Sequence, residues 1–281
     1  MKQIAFILIL FLTSFFPNVY SQTDTGDIFQ KGVDAFLKKD LRNAEILMDK
    51  YIKSNPDSAK AYYYKGEINI LEKKYDDALT NFSKAITLNG NETKYYSGRS
   101  MVYLMEKDYD NAFKDYNKVL SIDPNDVSIY NLEAVTYSQM NMFDDALRCL
   151  NKAIELDPKY TDSYRQRAIL YFYAGDTGQA FIDINKAIEI NPKDPVLYNN
   201  RGGLYRSCGK FSEAVDDFNK AIELDNSYAE AYCRRGVAYL YLGEYKKAIS
   251  DMEFGISLDP FLQEPLGDYL KQAKEKDKEK K

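Results

Sequence analysis

Seven alanines fall 34 residues apart with no insertion or deletion between them: Ala44, Ala78, Ala112, Ala146, Ala180, Ala214 and Ala248. A fixed period of this length marks a chain built from one supersecondary unit repeated along it. The units occupy residues 25–58, 59–92, 93–126, 127–160, 161–194, 195–228 and 229–262. With the alanine set as position 20, other positions keep step. Position 4 is Tyr in six units, among them Tyr96, Tyr164, Tyr198 and Tyr232. Position 8 is small throughout, as in Gly32, Gly66, Gly202 and Gly236, whereas position 24 is large, as in Met48, Phe82, Phe218 and Met252. Position 32 is proline in five units: Pro56, Pro124, Pro158, Pro192 and Pro260.

Positions 4, 8 and 11 share one face of a helix, and positions 20, 24 and 27 share one face of a second. Gly175, Gly209, Gly243 and Asn141 stand at position 15, where a left-handed residue ends the first helix. Proline at position 32 ends the second, because it cannot continue the hydrogen-bond ladder. Each unit therefore reads as an antiparallel pair of helices that close on the small position 8. One such hairpin cannot bury its apolar face alone, so neighbours must stack. The expected fold is all-α, an α-solenoid of seven helix-turn-helix units over residues 22–262. Residues 263–281 follow it. Leu266, Leu270 and Ala273 place a capping helix at 263–275, and the charges beyond read as a frayed, solvated tail.

Composition narrows the chemistry. There is no histidine, which removes the commonest general base and every imidazole-based triad. The formal net charge is −5, against a nucleic-acid binder. Cys149, Cys208 and Cys233 form no CxxC pair and are expected to be buried singly. Paired acids such as Asp76–Asp77 and Asp144–Asp145 fall near the starts of second helices, where they favour the helix dipole. No catalytic residue, metal ligand or cofactor is expected, and the chain is read as a non-enzyme. At the N-terminus, Lys2 precedes an apolar run from Ile4 to Phe16, broken by Pro17 and followed by Val19 and Ser21. That layout predicts a signal peptide over 1–21, export to the periplasm or beyond, and no membrane span after cleavage, with an uncleaved membrane anchor as the alternative.

The spacing resembles the tetratricopeptide repeat (TPR), whose pattern places an aromatic, Leu-Gly, Tyr, Ala, Phe, Ala and Pro at these offsets. The first unit departs most, with Ile28 at position 4, Ala35 at 11 and Tyr51 at 27, as suits a repeat packed on one side. Position 7, Leu in that family, is Arg99, Arg167, Arg201 and Arg235 in four units, and those same four carry Asp115, Asp183, Asp217 and Asp251 at position 23. The two positions are nearly level across the hairpin. Four intra-repeat ion pairs are therefore expected, Arg99–Asp115, Arg167–Asp183, Arg201–Asp217 and Arg235–Asp251, the alternative being a basic ladder for anions.

The resemblance implies that ligands lie in a groove lined by first helices at positions 2, 5, 9, 12 and 13. Carried over, these include Tyr63, Met101, Asn131, Arg165, Tyr173, Asn199, Arg206 and Tyr241. The chaperone-binding members carry Lys at position 5 with Asn at 9, a combination absent from this chain. In "YNNRGGLYRSCGK", residues 198–210, the repeat accounts for Tyr198, Arg201, Gly202, Tyr205 and Gly209. Asn199, Gly203, Arg206 and Ser207 are left toward the groove. The expected function is a scaffold or adaptor that holds a partner peptide or helix in the groove. Binding of envelope glycan by units 5–7 is the alternative, with assembly of an outer-membrane or secretion complex as a third reading.

Overall fold

Residues 28–280 are described by a computed structural model; the predicted signal segment lies outside them. The described residues form fifteen α-helices and no strand. The first hairpin is α1 (Ile28–Leu37) with α2 (Leu41–Ser54), the second α3 (Ala59–Leu71) with α4 (Tyr75–Leu88), and the third α5 (Thr93–Glu106) with α6 (Tyr109–Ile122). The fourth repeat supplies α7 (Val127–Gln139) and α8 (Phe143–Leu156). Three more hairpins follow: α9 (Thr161–Tyr173) with α10 (Thr177–Ile190), α11 (Pro195–Ser207) with α12 (Phe211–Leu224), and α13 (Ala229–Tyr241) with α14 (Tyr245–Leu258). A 3-10 turn at Pro260–Leu262 leads into α15 (Gln263–Glu279). The chain divides into two compact units after Met140, so α7 ends the first and α8 begins the second. Within each unit the two helices of a hairpin pack together and each hairpin packs on the next.

The hairpin turns obey one rule more strictly than the sequence pattern promised. Gly175, Gly209, Gly243 and Asn141 have positive φ at position 15, and so do Lys39, Lys73 and Lys107. All seven repeats thus end their first helix with a left-handed residue, four of them against the cost of a Cβ, which Asn141 bears most easily. Second helices start next to it, and Asp40, Asp108 and Asp176 cap them by accepting from the backbone N–H of Asn43, Asn111 and Gln179. At the other end, a position-4 tyrosine donates to the carbonyl at position 32 of the preceding repeat: Tyr96 to Gly90 at 3.1 Å, Tyr130 to Pro124 at 3.1 Å, Tyr164 to Pro158 at 3.3 Å and Tyr198 to Pro192 at 3.2 Å. The tyrosine hydroxyl satisfies a carbonyl that the broken helix leaves over.

The core of each hairpin is the predicted small-against-large contact. A Cβ on Gly66 would stand 2.6 Å from the Phe82 ring, and one on Gly202 would stand 2.8 Å from Phe218. Gly98, at position 6 of the next hairpin, presses on Phe82 from its other side. The alanines at position 20 are fully buried in every repeat. In the first repeat Tyr51 lies against Phe29, ring centroids 5.1 Å apart, filling the space where later repeats have a small residue at position 27.

The capping helix buries Leu266 and Ala273 against the cluster of Val237, Leu240 and Met252. It runs to Glu279, so the residues read as a frayed tail continue the helix instead. Lys280 then returns to donate to the Gly243 carbonyl at 3.2 Å. Among the described residues, no helix is long and apolar enough to cross a membrane. The cysteines are not alike: Cys233 is buried, Cys149 is half-buried and Cys208 is exposed at the end of α11.

Candidate functional site

The four Arg/Asp pairs are bidentate. Arg99 Nε and Nη2 donate to Asp115 at 2.8 and 2.7 Å, Arg167 to Asp183 at 2.7 and 2.8 Å, Arg201 to Asp217 at 2.8 and 2.7 Å, and Arg235 to Asp251 at 2.6 and 2.9 Å. The hydrogen bonds to Asp217 raise the Arg201 guanidinium above its already high ordinary value. Tyrosines one turn to either side cover the guanidinium plane: Tyr164 and Tyr171 on Arg167, Tyr232 and Tyr239 on Arg235.

Each arginine has a third partner that the sequence reading did not identify. Nη1 of Arg167, Arg201 and Arg235 donates to Asn151, Asn185 and Asn219 at 2.6, 2.7 and 2.6 Å, and Arg99 Nη1 to Ser83 at 3.0 Å. All four acceptors stand at position 25 of the preceding repeat. The arginine therefore ties a hairpin to itself and to its predecessor. Lys65 at position 7 reaches Asp49 at position 25 of the first repeat, 2.5 Å away, so a simpler version of the link serves there. The recurring polar residue at position 25 was the available signal.

These residues are structural, and the first-helix face is where a partner could be held. Four of the residues placed in the groove need correction. Met101 is buried among Leu104, Ile129 and Leu132, because α5 and α7 pack side by side. Asn131 is buried and donates to the Val127 carbonyl of its own helix. Arg165, 4% exposed, is held by Asp162 at 2.8 Å on the same helix. Asn199, 1% exposed, donates to the Tyr228 hydroxyl at 3.0 Å. Burial takes all four off an open surface. Tyr63 is half-buried against Tyr64, Phe82 and Tyr95, with the Lys94 ammonium over its ring. Close by, Glu67 is buried and hydrogen-bonded to Tyr63, and loss of hydration pushes its carboxyl up to about 8.

In the first, fifth and seventh repeats position 13 is large and exposed. Tyr173 is 71% exposed and Tyr241 is 52% exposed, with Leu37 standing out at the same position in the first repeat. Tyr241 stacks on Phe211, centroids 4.8 Å apart and planes 8° from parallel, which fixes its ring in place. Arg206 is half-buried beside Arg234, Tyr241 and Tyr269.

Helical hairpins of this period, closed by a left-handed turn and a small-on-large contact, define a tetratricopeptide-type repeat fold. Sequence profiles of the tetratricopeptide repeat match residues 32–92, 93–126, 127–160, 161–194, 184–216 and 229–261, and a TPR repeat profile matches 202–243. The chain belongs to the tetratricopeptide repeat family. No curated protein matches it. Among solved structures, a tetratricopeptide repeat protein from Parabacteroides merdae is 23% identical with a TM-score of 0.68, over 88% of this chain and 97% of that one. Yeast Tom70 is 17% identical with a TM-score of 0.74, over 97% of this chain and 65% of that one. PilF of Pseudomonas aeruginosa is 15% identical with a TM-score of 0.57, over 74% and 94%. At these identities the likeness is one of fold.

Proposed function

We propose that this chain is an exported scaffold that binds another protein along the first-helix face, with the position-13 side chains as its exposed anchors. The observation that carries this is the contrast along that face. Most polar residues on it are consumed by packing, while Tyr173 and Tyr241 stand in solvent, one of them pre-stacked. Rigid aromatics lose little freedom on binding and are favoured as interface anchors. The staples that tie hairpins to their predecessors within each unit support a surface of set shape there. Export rests on the N-terminal pattern of Lys2, the apolar run and the small residues after it. The test is affinity capture from the native envelope. A partner retained by the wild type and by Ile182→Ala, but lost by Tyr173→Ala/Tyr241→Ala, supports the reading. Equal retention by the double tyrosine variant contradicts it.

A further inference from the structure

Arg206, at position 12 of the sixth repeat, has no carboxylate within salt-bridge distance among the described residues, and its buried Nε has no hydrogen-bond partner. Every arginine at position 7 from the third repeat onward is paired with an aspartate, whereas this one faces no carboxylate and has the Tyr269 hydroxyl as its hydrogen-bond partner. A second guanidinium lies beside it. Arg234 Nη1 stands 3.0 Å from the place a Cβ of Gly203 would take, one turn before Arg206 on the same helix. The absence of a side chain at Gly203 makes room for it. Arg234 is paired with Glu230 at 2.5 Å, so the cluster carries one net positive charge. The hydroxyl-bearing rings of Tyr241 from α13 and Tyr269 from α15 flank Arg206. Burial, and then the charge of Arg234, depress the Arg206 guanidinium, against the opposite and smaller pull of Tyr269 and Tyr241.

We propose that this cluster binds the carboxylate of an Asp or Glu side chain in an extended segment of the partner protein. Two guanidiniums and two phenols offer N–H and O–H donors with no unpaired acceptor charge among them, and a planar carboxylate matches the guanidinium fork. A single net positive charge suits a monoanion; the second charge of a phosphate would face Glu230. The capping helix has a part beyond covering the core, since Tyr269 is contributed by it. The stacked Tyr241 ring lies next to the site and would flank the bound chain. This deepens the scaffold reading and rests on it.

The test begins with display selection of random dodecapeptides on the chain lacking residues 1–21. Selected sequences and their Glu→Gln and Asp→Asn counterparts are then measured by fluorescence anisotropy. The expected result is enrichment in acidic residues, about tenfold weaker binding of the amide counterparts, and a similar loss for Arg206→Met with no fall in its melting temperature. Glu230→Gln, which releases Arg234, should tighten acidic peptides and leave amide peptides unchanged. Peptides selected without acidic enrichment, or bound equally by Arg206→Met, overturn this inference and leave the scaffold reading standing. Selection of no peptide at all contradicts the peptide-binding reading and this inference with it.

Discussion

Arg201 of α11 and Asp217 of α12 are joined by two parallel hydrogen bonds, while the remaining nitrogen of Arg201 reaches Asn185 in the hairpin before. Asp217 is buried and Arg201 is about one-fifth exposed. Attraction between such groups is largely offset by what they lose in hydration, so the pair contributes less to stability than its geometry implies. Removing one partner is another matter. Asp217→Ala should cost roughly 2–4 kcal/mol by stranding a guanidinium, whereas Arg201→Met/Asp217→Leu should lie within about 1 kcal/mol of the wild type. Urea denaturation of Arg201→Met, Asp217→Leu and the double variant gives the coupling directly.

The bond to Asn185 predicts an effect of a different kind. Asn185→Ala removes one charge-assisted hydrogen bond and should cost about 1–2 kcal/mol. Because that bond runs between hairpins, the loss should weaken their coupling as well as total stability. Hydrogen exchange should show protection falling most in α10 and α11.

Lys107 adopts φ of 62°, in the left-handed region that an L side chain disfavours. Lys107→Gly should stabilise the protein by about 0.5–1 kcal/mol, since glycine reaches this region without steric cost. Gly175→Ala is the converse. Nothing lies within 4 Å of the added Cβ, so a loss of about 1 kcal/mol would come from φ alone. Thermal melts of both variants check the sign.

Glu67 gives a pH signature. Its folded-state value is raised to about 8 from 4.5, so the native state holds a proton that the unfolded state has released between those values. Its contribution to stability is therefore greatest at acid pH and declines as pH rises from 4.5 to about 8. Glu67→Gln removes that decline. The variant should match the wild type near pH 4 and exceed it by up to about 3 kcal/mol near pH 7. Urea midpoints at the two pH values measure the difference.

The fold was legible because one unit is written seven times. Small and large residues at positions 8 and 24 recur wherever the hairpin closes, and the co-occurrence of Arg201 with Asp217 and its three counterparts reports a contact that no single repeat would reveal. Other features escaped for physical reasons. Lys39, Lys73 and Lys107 carry no sign of the left-handed turn that the fold imposes on them; tertiary packing overrides their preference. Asn185 is ambiguous alone, since its role depends on the register between hairpins. The binding face was legible only in part. Met101, Asn131, Arg165 and Asn199 have the right position in the repeat, but packing buries them. Tyr269 was out of reach because it lies outside the repeat.

Photo-crosslinking in the native envelope tests most directly whether the first-helix face is the working surface. A crosslinking residue is placed in turn at Tyr173 and Tyr241, and at Ile46 and Ile182, which are exposed on second helices. The account predicts one protein adduct shared by the two tyrosine positions and absent from the two isoleucine positions. The same adduct at Ile46 or Ile182, with none at Tyr173 or Tyr241, would contradict it.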